Sequence, residues 1–316
     1  MWKVVGNKRI IQFLKDQIKK DSISQAYLFV GPASLGKFTT ALFFAQTLLC
    51  LSEEKKRDQN FCQTCSSCQS FEKNIHPDFT IIENTNTPLS IETIRELKRQ
   101  IVLLPSLSKR KVIIFEEASY LTLEAQNALL KTLEEPPKYA VLILVSQKEN
   151  LLPTILSRCS RFYFQPVSLK EIKTELKKRG IEEDEASLLS HLSLGRIGQV
   201  LEDSLFQQKW EESFNLLFLL SSASILKEKI DLAKNLRQKD LVYWTIILRD
   251  ALLFKINYSH LSYYPSPYLD KLSQLCQIFS LSQIHFLIKR LQKTQELLQT
   301  TQVNQKLLLE NLVLQL

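Results

Sequence analysis

The chain has 316 residues, of which 45% are hydrophobic and 23% charged, and its formal net charge at pH 7 is +8. This composition excludes a disordered or collagen-like chain and predicts a compact protein of two or three domains. The basic excess is compatible with nucleic acid nearby, although a solvated basic surface accounts for it equally well. Because the amino terminus lacks the apolar core of a signal peptide and the longest apolar stretch is too short to span a bilayer, we expect a cytoplasmic protein without membrane contacts.

Short β-forming runs alternate with helical patterns in the first half of the chain. Residues 90–104 and 121–135 carry apolar side chains at helical spacing, and the second run stops at two prolines. This alternation is typical of βαβ units around a parallel sheet, and several of the strands are apolar enough to be buried on both faces. The predicted strands are residues 26–30, 79–82, 111–115, 140–145 and 161–164.

The character of the sequence changes beyond Pro166. From Phe206 strand signals fade, and leucine-rich helical periodicity continues to the end of the chain. We therefore predict three domains along the chain. An α/β domain covers residues 1–165, a small helical lid domain covers residues 166–205, and an all-helical domain covers residues 206–316.

The stretch GPASLGK, which follows the first predicted strand and opens a helix, has the form of a phosphate-binding loop. Gly31, Gly36 and Lys37 match the pattern G-x-x-x-x-G-K. In such a loop, backbone N–H groups hold the phosphates and the lysine ammonium lies near the β- and γ-phosphates. The pattern predicts a site for ATP with Mg²⁺.

Two positions of this loop depart from the pattern. Phe38 stands where a Ser or Thr hydroxyl normally binds Mg²⁺, and Thr39 is rotated about 100° further round the helix. Ser34 occupies a position that is often glycine, and its side chain restricts a backbone that requires a positive φ. Nucleotide binding by Gly31, Gly36, Lys37 and Thr39 is therefore expected to be weak.

Two acids, Glu116 and Glu117, follow the predicted strand 111–115. In P-loop ATPases such acids hold Mg²⁺ and activate the attacking water, and these are the roles predicted for Glu116 and Glu117 respectively. Two carboxylates after a strand are usually surface charge, but the P-loop upstream favours the functional interpretation.

Four cysteines lie between residues 50 and 68. Cys62, Cys65 and Cys68 form a C-x-x-C-x-x-C run, and Cys50 ends the helix after the P-loop. Four thiolates suit tetrahedral Zn²⁺, which is predicted to be structural because no coordination position is left for water or substrate. The alternatives are an iron–sulfur cluster or reduced cysteines without metal, and disulfides are less compatible with a cytoplasmic protein.

Together with the strings TLEEPP at residues 132–137 and ILSRC at residues 155–159, these motifs resemble the clamp-loader branch of the AAA+ ATPases. The likeness covers most of residues 1–200. It implies an AAA+ P-loop domain, a helical lid and a helical collar. It also implies a ring of five related subunits, among them gamma/tau and delta, which uses ATP to load the sliding clamp onto primer-template DNA.

The resemblance also implies roles for single residues. In such complexes the Arg of a Ser-Arg-Cys motif enters the ATP site of the neighbouring subunit, so Arg158 is expected to act in trans as an arginine finger. Ser146 falls in the sensor-1 region, which meets the γ-phosphate. A further sensor arginine is expected where this chain has Gly198, and Arg196 is out of register. Without the resemblance, a structural ion pair is the simpler role for Arg158.

Three functions are compatible with these residues. The leading hypothesis is a clamp-loader subunit that completes a neighbour's ATP site with Arg158, while its own site is weak or inactive and Glu117 is vestigial. The second is an active clamp-loader ATPase of the gamma/tau type, in which Lys37, Glu116 and Glu117 keep their ordinary roles. The third is a zinc-containing structural adaptor that binds no nucleotide.

Overall fold

The computed structural model describes residues 2–83, 87–202, 205–222, 231, 236–237, 240–258, 266–300 and 304–313. The chain forms two compact units, one of Met1–Glu171 with Arg196–Gly198 and one of Ile172–Gly195 with Gln199–Leu316. The three-domain division at residues 165 and 205 stays a prediction. Residues 203–204, beside its second boundary, lie outside the described residues.

The first unit is built on a five-stranded sheet in the order β2-β3-β4-β1-β5, and all neighbouring strands are parallel. The strands are β1 (Ala26–Val30), β2 (Phe79–Ile82), β3 (Lys111–Phe115), β4 (Ala140–Ser146) and β5 (Ser160–Tyr163). β1, β3 and β4 are buried along their whole length, which explains their continuous apolar runs. The predicted parallel sheet is confirmed; β4 is one residue longer than predicted, and β5 begins and ends one residue earlier.

Helices cover both faces of this sheet. They are α1 (Lys8–Lys19), α2 (Lys37–Leu49), α3 (Glu53–Arg57), α4 (Ser66–Glu72), α5 (Ile91–Val102), α6 (Leu123–Glu134) and α7 (Pro153–Leu156). α1 and α2 pack on one face through side chains such as Leu14 and Phe44, and α5 and α6 pack on the other through Ile94 and Leu129. The two helices predicted from apolar periodicity, at residues 90–104 and 121–135, correspond to α5 and α6.

The strand register decides which residues share an edge of the sheet. Val30 at the end of β1 lies beside Ser146 at the end of β4, and Tyr27 near the start of β1 lies beside Ser160 at the start of β5. Because the strands are parallel, the loops that follow them meet at one edge, here called the carboxyl edge. The segments that precede the strands lie at the opposite edge, here called the amino edge.

The remaining helices are α8 (Leu169–Lys178), α9 (Glu183–Leu192), α10 (Ile197–Glu202), α11 (Phe206–Ser222), α12 (Asp240–Lys255), α13 (Ser266–Ile278), α14 (Leu281–Thr300) and α15 (Gln305–Val313). Trp210 and Trp244 are fully buried in the second unit, and the Trp244 indole N–H donates to the Ser213 carbonyl oxygen at 2.9 Å. The predicted helical character of the C-terminal region is confirmed. In the described part of the chain, no helix combines the length and the apolar character needed to cross a bilayer.

Candidate functional site

The backbone conformation of the loop between β1 and α2 depends on two glycines, Gly31 and Gly36. A Cβ at Gly31 would lie 2.6 Å from the carbonyl oxygen of Phe164, so this position has no room for a side chain. Gly36, just before α2, has a φ of 79°, which favours glycine. Ser34 also adopts a left-handed φ of 60°. The restriction expected from its side chain is therefore overcome, at a cost of about 1–3 kcal/mol.

The P-loop lysine is turned into its own loop. Lys37 is 5% exposed, and its ammonium donates to the carbonyl oxygens of Gly31 and, at 2.6 Å, of Pro32. Burial lowers the pKa of Lys37 to about 8; the Glu117 carboxylate opposes this shift and the Arg196 guanidinium adds to it. To bind a phosphate, Lys37 must exchange its two carbonyl partners for phosphate oxygens.

The first turn of α2 carries two hydroxyls, on Thr39 and Thr40, but none at position 38. Phe38 packs against the apolar cluster on the α2 face of the sheet. Thr39 is half-buried in the first turn. The hydroxyl of Thr40 donates to the Gly36 carbonyl oxygen at 2.7 Å and is thus already used within the helix. The Thr40 hydroxyl therefore does not replace the one that is missing at Phe38.

Glu117 and Ser146 lie together at the carboxyl edge. Glu117 is buried, and its carboxylate accepts from the hydroxyls of Ser119 at 2.6 Å and Ser146 at 3.1 Å and from the N–H of Gln147 at 3.0 Å. The Ser146 hydroxyl is also 2.6 Å from the Lys148 carbonyl oxygen, and its single proton can serve only one acceptor at a time. The predicted water-activating acid and sensor serine are therefore bonded to each other.

The rest of the carboxyl edge is joined to these groups by the backbone. The Gly31 N–H donates to the Ser146 carbonyl oxygen at 3.2 Å, which ties the P-loop to the end of β4. Glu116 is half-buried, and its N–H donates to the Ile82 carbonyl oxygen at 3.1 Å. The structure thus brings the predicted residues of the P-loop, the acid pair and sensor 1 to one edge of the sheet.

Gly198 packs directly on the P-loop. Its N–H donates to the Ser34 carbonyl oxygen at 3.0 Å, and a Cβ at this position would lie 2.8 Å from the same oxygen. The expected sensor arginine therefore has no room at position 198 unless the loop moves. The missing arginine is evident in the sequence, but the backbone contact in its place is not.

Arg158 lies at the amino edge, just before β5. Its guanidinium donates to the Thr154 carbonyl oxygen at 2.9 Å and forms an ion pair with Glu134 at 2.8 Å. The side chain is 34% exposed. Because β1 and β5 are parallel neighbours, the length of β1 separates Arg158 from the chain's own P-loop, roughly 15–20 Å at 3.3 Å per residue. The structure does not bring Arg158 together with Lys37 and Glu117.

The four cysteines converge beside the carboxyl end of α2. The Sγ atoms of Cys50, Cys62, Cys65 and Cys68 all lie within 4.8 Å of one another, and those of Cys62 and Cys68 are 3.9 Å apart. Zn–S bonds of about 2.3 Å in a tetrahedron separate the sulfurs by about 3.8 Å. All four are free thiols, so the cluster fits a four-coordinate metal ion.

Backbone N–H groups point at the sulfurs of this cluster. The N–H of Cys65 donates to Cys62 Sγ at 3.3 Å, and the N–H of Cys68 donates to Cys65 Sγ at 3.4 Å. Burial raises the pKa of Cys62, but hydrogen bonds from Cys65 and Thr64 outweigh it and leave the pKa at about 6. Such bonds favour the thiolate of Cys62, the form that binds metal, whereas burial raises the pKa of Cys50 and of Cys68.

A buried polar network, missed in the sequence, fixes this cysteine cluster to the sheet. The Leu49 carbonyl oxygen accepts from the hydroxyls of Ser67 at 2.7 Å and Ser108 at 2.8 Å. The Asp78 carboxylate accepts three backbone N–H groups of residues 106–108 at 2.6–2.7 Å. Burial opposes ionisation, but these three bonds hold the pKa of Asp78 below its usual value.

A parallel sheet with a P-loop after β1, an acid pair after β3 and a polar residue at the end of β4 defines a P-loop domain of the AAA+ class. Within this class, the chain belongs to the family of DNA polymerase III delta subunits. Residues 6–168 match the family described as "DNA polymerase III, delta subunit", and residues 207–316 match "DNA polymerase III, delta subunit, C terminal". The resemblance to clamp-loader subunits is confirmed at the level of this family.

Relatives of the chain are subunits of the same polymerase. DNA polymerase III subunit delta′ of Bacillus subtilis (strain 168) is 32% identical over 195 residues, 61% of this chain and 58% of that protein. Subunit delta′ of Pseudomonas aeruginosa is 39% identical over 139 residues, 43% of this chain and 42% of that protein. Subunit tau of Bacillus subtilis is 34% identical over 176 residues, 55% and 31% of the two chains. The chain spans less than two thirds of the length of each relative.

The contact between Gly198 and the P-loop can be tested by adding one methyl group. We expect Gly198→Ala to lower the free energy of unfolding by about 1–3 kcal/mol, because the new Cβ displaces the Ser34 carbonyl. We also expect faster amide hydrogen exchange in residues 31–37, measured by mass spectrometry.

Gly180→Ala is the matched control, since Gly180 has a φ of +88° but no atom within 4 Å of an added Cβ. It introduces backbone strain without touching the P-loop, and should leave exchange in residues 31–37 unchanged. Unchanged exchange in Gly198→Ala as well would show that the contact does not hold the loop.

Proposed function

We propose that this chain is a delta-prime-type subunit of the DNA polymerase III clamp loader, and that it supplies Arg158 to the ATP site of a neighbouring subunit. The observation that supports this role is the position of Arg158 at the amino edge, one strand length from the chain's own P-loop. An arginine in this position cannot reach a nucleotide held by Lys37. Its catalytic use therefore requires a nucleotide on another chain.

The chemistry of such an arginine is electrostatic. Negative charge builds up on the γ-phosphoryl oxygens during phosphoryl transfer, and a guanidinium held nearby stabilises this charge. In GTPases such an arginine raises the rate of hydrolysis by roughly 10³–10⁵-fold. Glu134 and the Thr154 carbonyl hold the Arg158 side chain in one orientation while leaving it partly exposed. Entry into a neighbour's site exchanges the Glu134 carboxylate for phosphate oxygens, which are equally suited to guanidinium geometry.

The chain's own site is proposed to be weak or inactive toward ATP. Phe38 provides no hydroxyl for Mg²⁺, and Gly198 leaves no room for a sensor arginine. Lys37 and Glu117 are already satisfied by groups of the same chain. If ATP binds, Gly31, Gly36, Lys37 and Thr39 would contact its phosphates, and Glu116 and Ser146 would face its metal and γ-phosphate.

In this proposal the chain works in the cytoplasm as one member of a hetero-pentamer with gamma/tau and delta subunits. The complex opens the sliding clamp and closes it around primer-template DNA during replication. The support is the family to which the chain belongs, together with the delta′ and tau relatives. The helical region from α11 onward is the proposed collar that joins the subunits.

An active ATPase of the gamma/tau type is the second candidate. The relative named subunit tau and the intact Gly31, Gly36 and Lys37 favour it. The replacement of the magnesium-binding hydroxyl by Phe38 weighs against it, because Mg²⁺ bridges the β- and γ-phosphates during the reaction. A structural adaptor without nucleotide is the third candidate.

The cysteine cluster is proposed to hold structural Zn²⁺. Its donor set, spacing and free thiols fit a four-cysteine zinc site, in which the protein fills every coordination position. In such a site the metal has no role in the reaction. It would fix the segment between α2 and β2, where α3 and α4 are too short to be stable alone.

The arginine-finger proposal is tested by Arg158→Ala in the reconstituted clamp loader. We expect DNA- and clamp-stimulated ATP hydrolysis at the affected site to fall at least tenfold, an order-of-magnitude figure for lost transition-state charge stabilisation. Assembly of the complex, followed by size-exclusion chromatography, should be intact because Arg158 is not part of the core.

Arg161→Ala is the matched control, because Arg161 lies three residues away, is 45% exposed and pairs with Glu149 at 3.0 Å. It removes the same charge and should leave hydrolysis unchanged. Turnover of the Arg158→Ala complex at the wild-type rate would contradict the finger assignment.

The state of the chain's own site is tested by ATP binding and hydrolysis of the isolated chain. We expect no significant hydrolysis, because Mg²⁺ lacks its P-loop hydroxyl. Hydrolysis that disappears in Lys37→Ala would instead support the active ATPase, and the absence of any nucleotide binding would support the adaptor.

The metal proposal is tested by elemental analysis after purification without chelators. We expect about one zinc ion per chain, as for a site of four cysteine ligands, and a strong loss of zinc in Cys65→Ser. Cys276→Ser is the control, since Cys276 lies in the helical unit and its thiol is 3.3 Å from the Ala251 carbonyl oxygen. Undiminished zinc in Cys65→Ser would exclude Cys65 as a ligand.

A further inference from the structure

A second concave site lies at the amino edge of the sheet, on the α1 and α2 face. Its volume is about 550 Å³, within the range of small-molecule sites. Its walls come from the end of α1, from α3, and from the segments that precede β3 and β4. The P-loop lies at the other edge, so this pocket, here called the basic pocket, is separate from the nucleotide site.

The lining of the basic pocket is strongly cationic. It contains two acids, Asp21 and Glu53. The cations that line it are Lys19, Lys56, Arg57, Lys109, Arg110 and Lys138. Such an excess of one charge sign within a concave wall concentrates counter-ions of the opposite sign.

Both acids of the pocket are already paired. Arg110 binds Asp21 at 2.7 Å, and Lys109 binds Glu53 at 2.8 Å. Among the residues that the structure describes, Lys19, Arg57 and Lys138 form no ion pair. Three cations from three separate segments of the chain therefore line the pocket without an ion-pair partner of their own.

The three consecutive basic residues 109–111, before and at the start of β3, have two different roles. Lys111 is buried, and its ammonium donates to the Gln100 and Leu103 carbonyl oxygens at the end of α5, both at 2.9 Å. The Lys111 ammonium thus binds carbonyl oxygens at the carboxyl end of α5 and is not available to an anion in the pocket. Lys109 and Arg110, by contrast, line the pocket.

The pocket also has an apolar wall. Ile18, Ile23 and Leu48 contribute aliphatic surface, and the ring of Tyr139 is anchored because its hydroxyl donates to the Val102 carbonyl oxygen at 2.8 Å. A base or sugar can pack against such a wall while phosphates meet the cations. On the cationic side, a guanidinium such as that of Arg57 suits paired phosphate oxygens.

We propose that the basic pocket binds the phosphate groups of a nucleotide-sized ligand. The unpaired cations favour a ligand with phosphate groups. The volume of the pocket and its apolar wall suit a ligand the size of a nucleotide. The phosphates can come from a free nucleoside polyphosphate or from the backbone of a single nucleic-acid strand. The proposal is independent of the P-loop and of Arg158.

The test measures binding of inorganic tripolyphosphate and of single-stranded oligothymidylate to the full chain by titration calorimetry. Both probes are also titrated into Lys37→Ala, so that binding at the P-loop is separated from binding at the basic pocket. We expect at least one probe to bind equally to the wild-type chain and to Lys37→Ala. Tripolyphosphate binding would indicate a small ligand, and binding of the oligonucleotide alone would indicate a strand.

The decisive variant is Arg57→Ala combined with Lys138→Ala, which removes two exposed, unpaired cations. We expect the probe to bind it at least tenfold more weakly, an order-of-magnitude figure for lost charge-assisted hydrogen bonds. Lys3→Ala combined with Lys178→Ala removes two exposed cations outside the pocket and should bind within about twofold of the wild-type chain, since distant surface charges are screened. Equal weakening in both double variants, or no binding of either probe, would overturn the proposal.

Discussion

All five strands of the sheet run in the same direction, and this parallel pairing determines where each group of the molecule can act. It collects the P-loop, the acid pair and Ser146 at the carboxyl edge and leaves Arg158 at the amino edge. The hydrogen bonds between the strands fix this separation, so no change of side-chain rotamer can bring Arg158 to Lys37. Arg158 and Lys37 are therefore held at opposite ends of the sheet.

At the carboxyl edge, the main polar groups already have partners. Lys37 donates to carbonyl oxygens of its own loop, Glu117 accepts from Ser119, Ser146 and Gln147, and the Ser34 carbonyl accepts from Gly198. A nucleotide must replace at least the Lys37 contacts, and each bond it breaks offsets part of what the new bond contributes. In an ATPase the metal would add further stabilisation, but Phe38 offers it no oxygen. The Lys37 bonds must therefore be exchanged before a phosphate can bind at this edge.

The sequence predicts the sheet well, because short runs rich in β-branched and aromatic residues are too short for ordinary helices and suit strands, and those of β1 and β4 are apolar enough to be buried. It also predicts the cysteine cluster, because C-x-x-C spacing restricts the sulfurs to one side of a short loop. It does not predict the contact of Gly198 with Ser34, since residues far apart in the chain meet there through backbone atoms alone. The Asp78 network escapes prediction for the same reason: its donors are the N–H groups of residues 106–108, and backbone N–H groups carry no sequence signal.

The amino edge differs from the carboxyl edge in the balance of its charges. Arg158 has Glu134 as a partner, and this ion pair is partly exposed, so solvent screens it and little free energy is lost when a phosphate replaces the carboxylate. In the basic pocket, Lys19, Arg57 and Lys138 have no such partner in the part of the chain that the structure describes. Repulsion among these cations disfavours their close approach unless an anion is bound nearby. The amino edge thus holds cations without ion-pair partners, whereas Lys37 at the carboxyl edge is already bonded to carbonyl oxygens of its own loop.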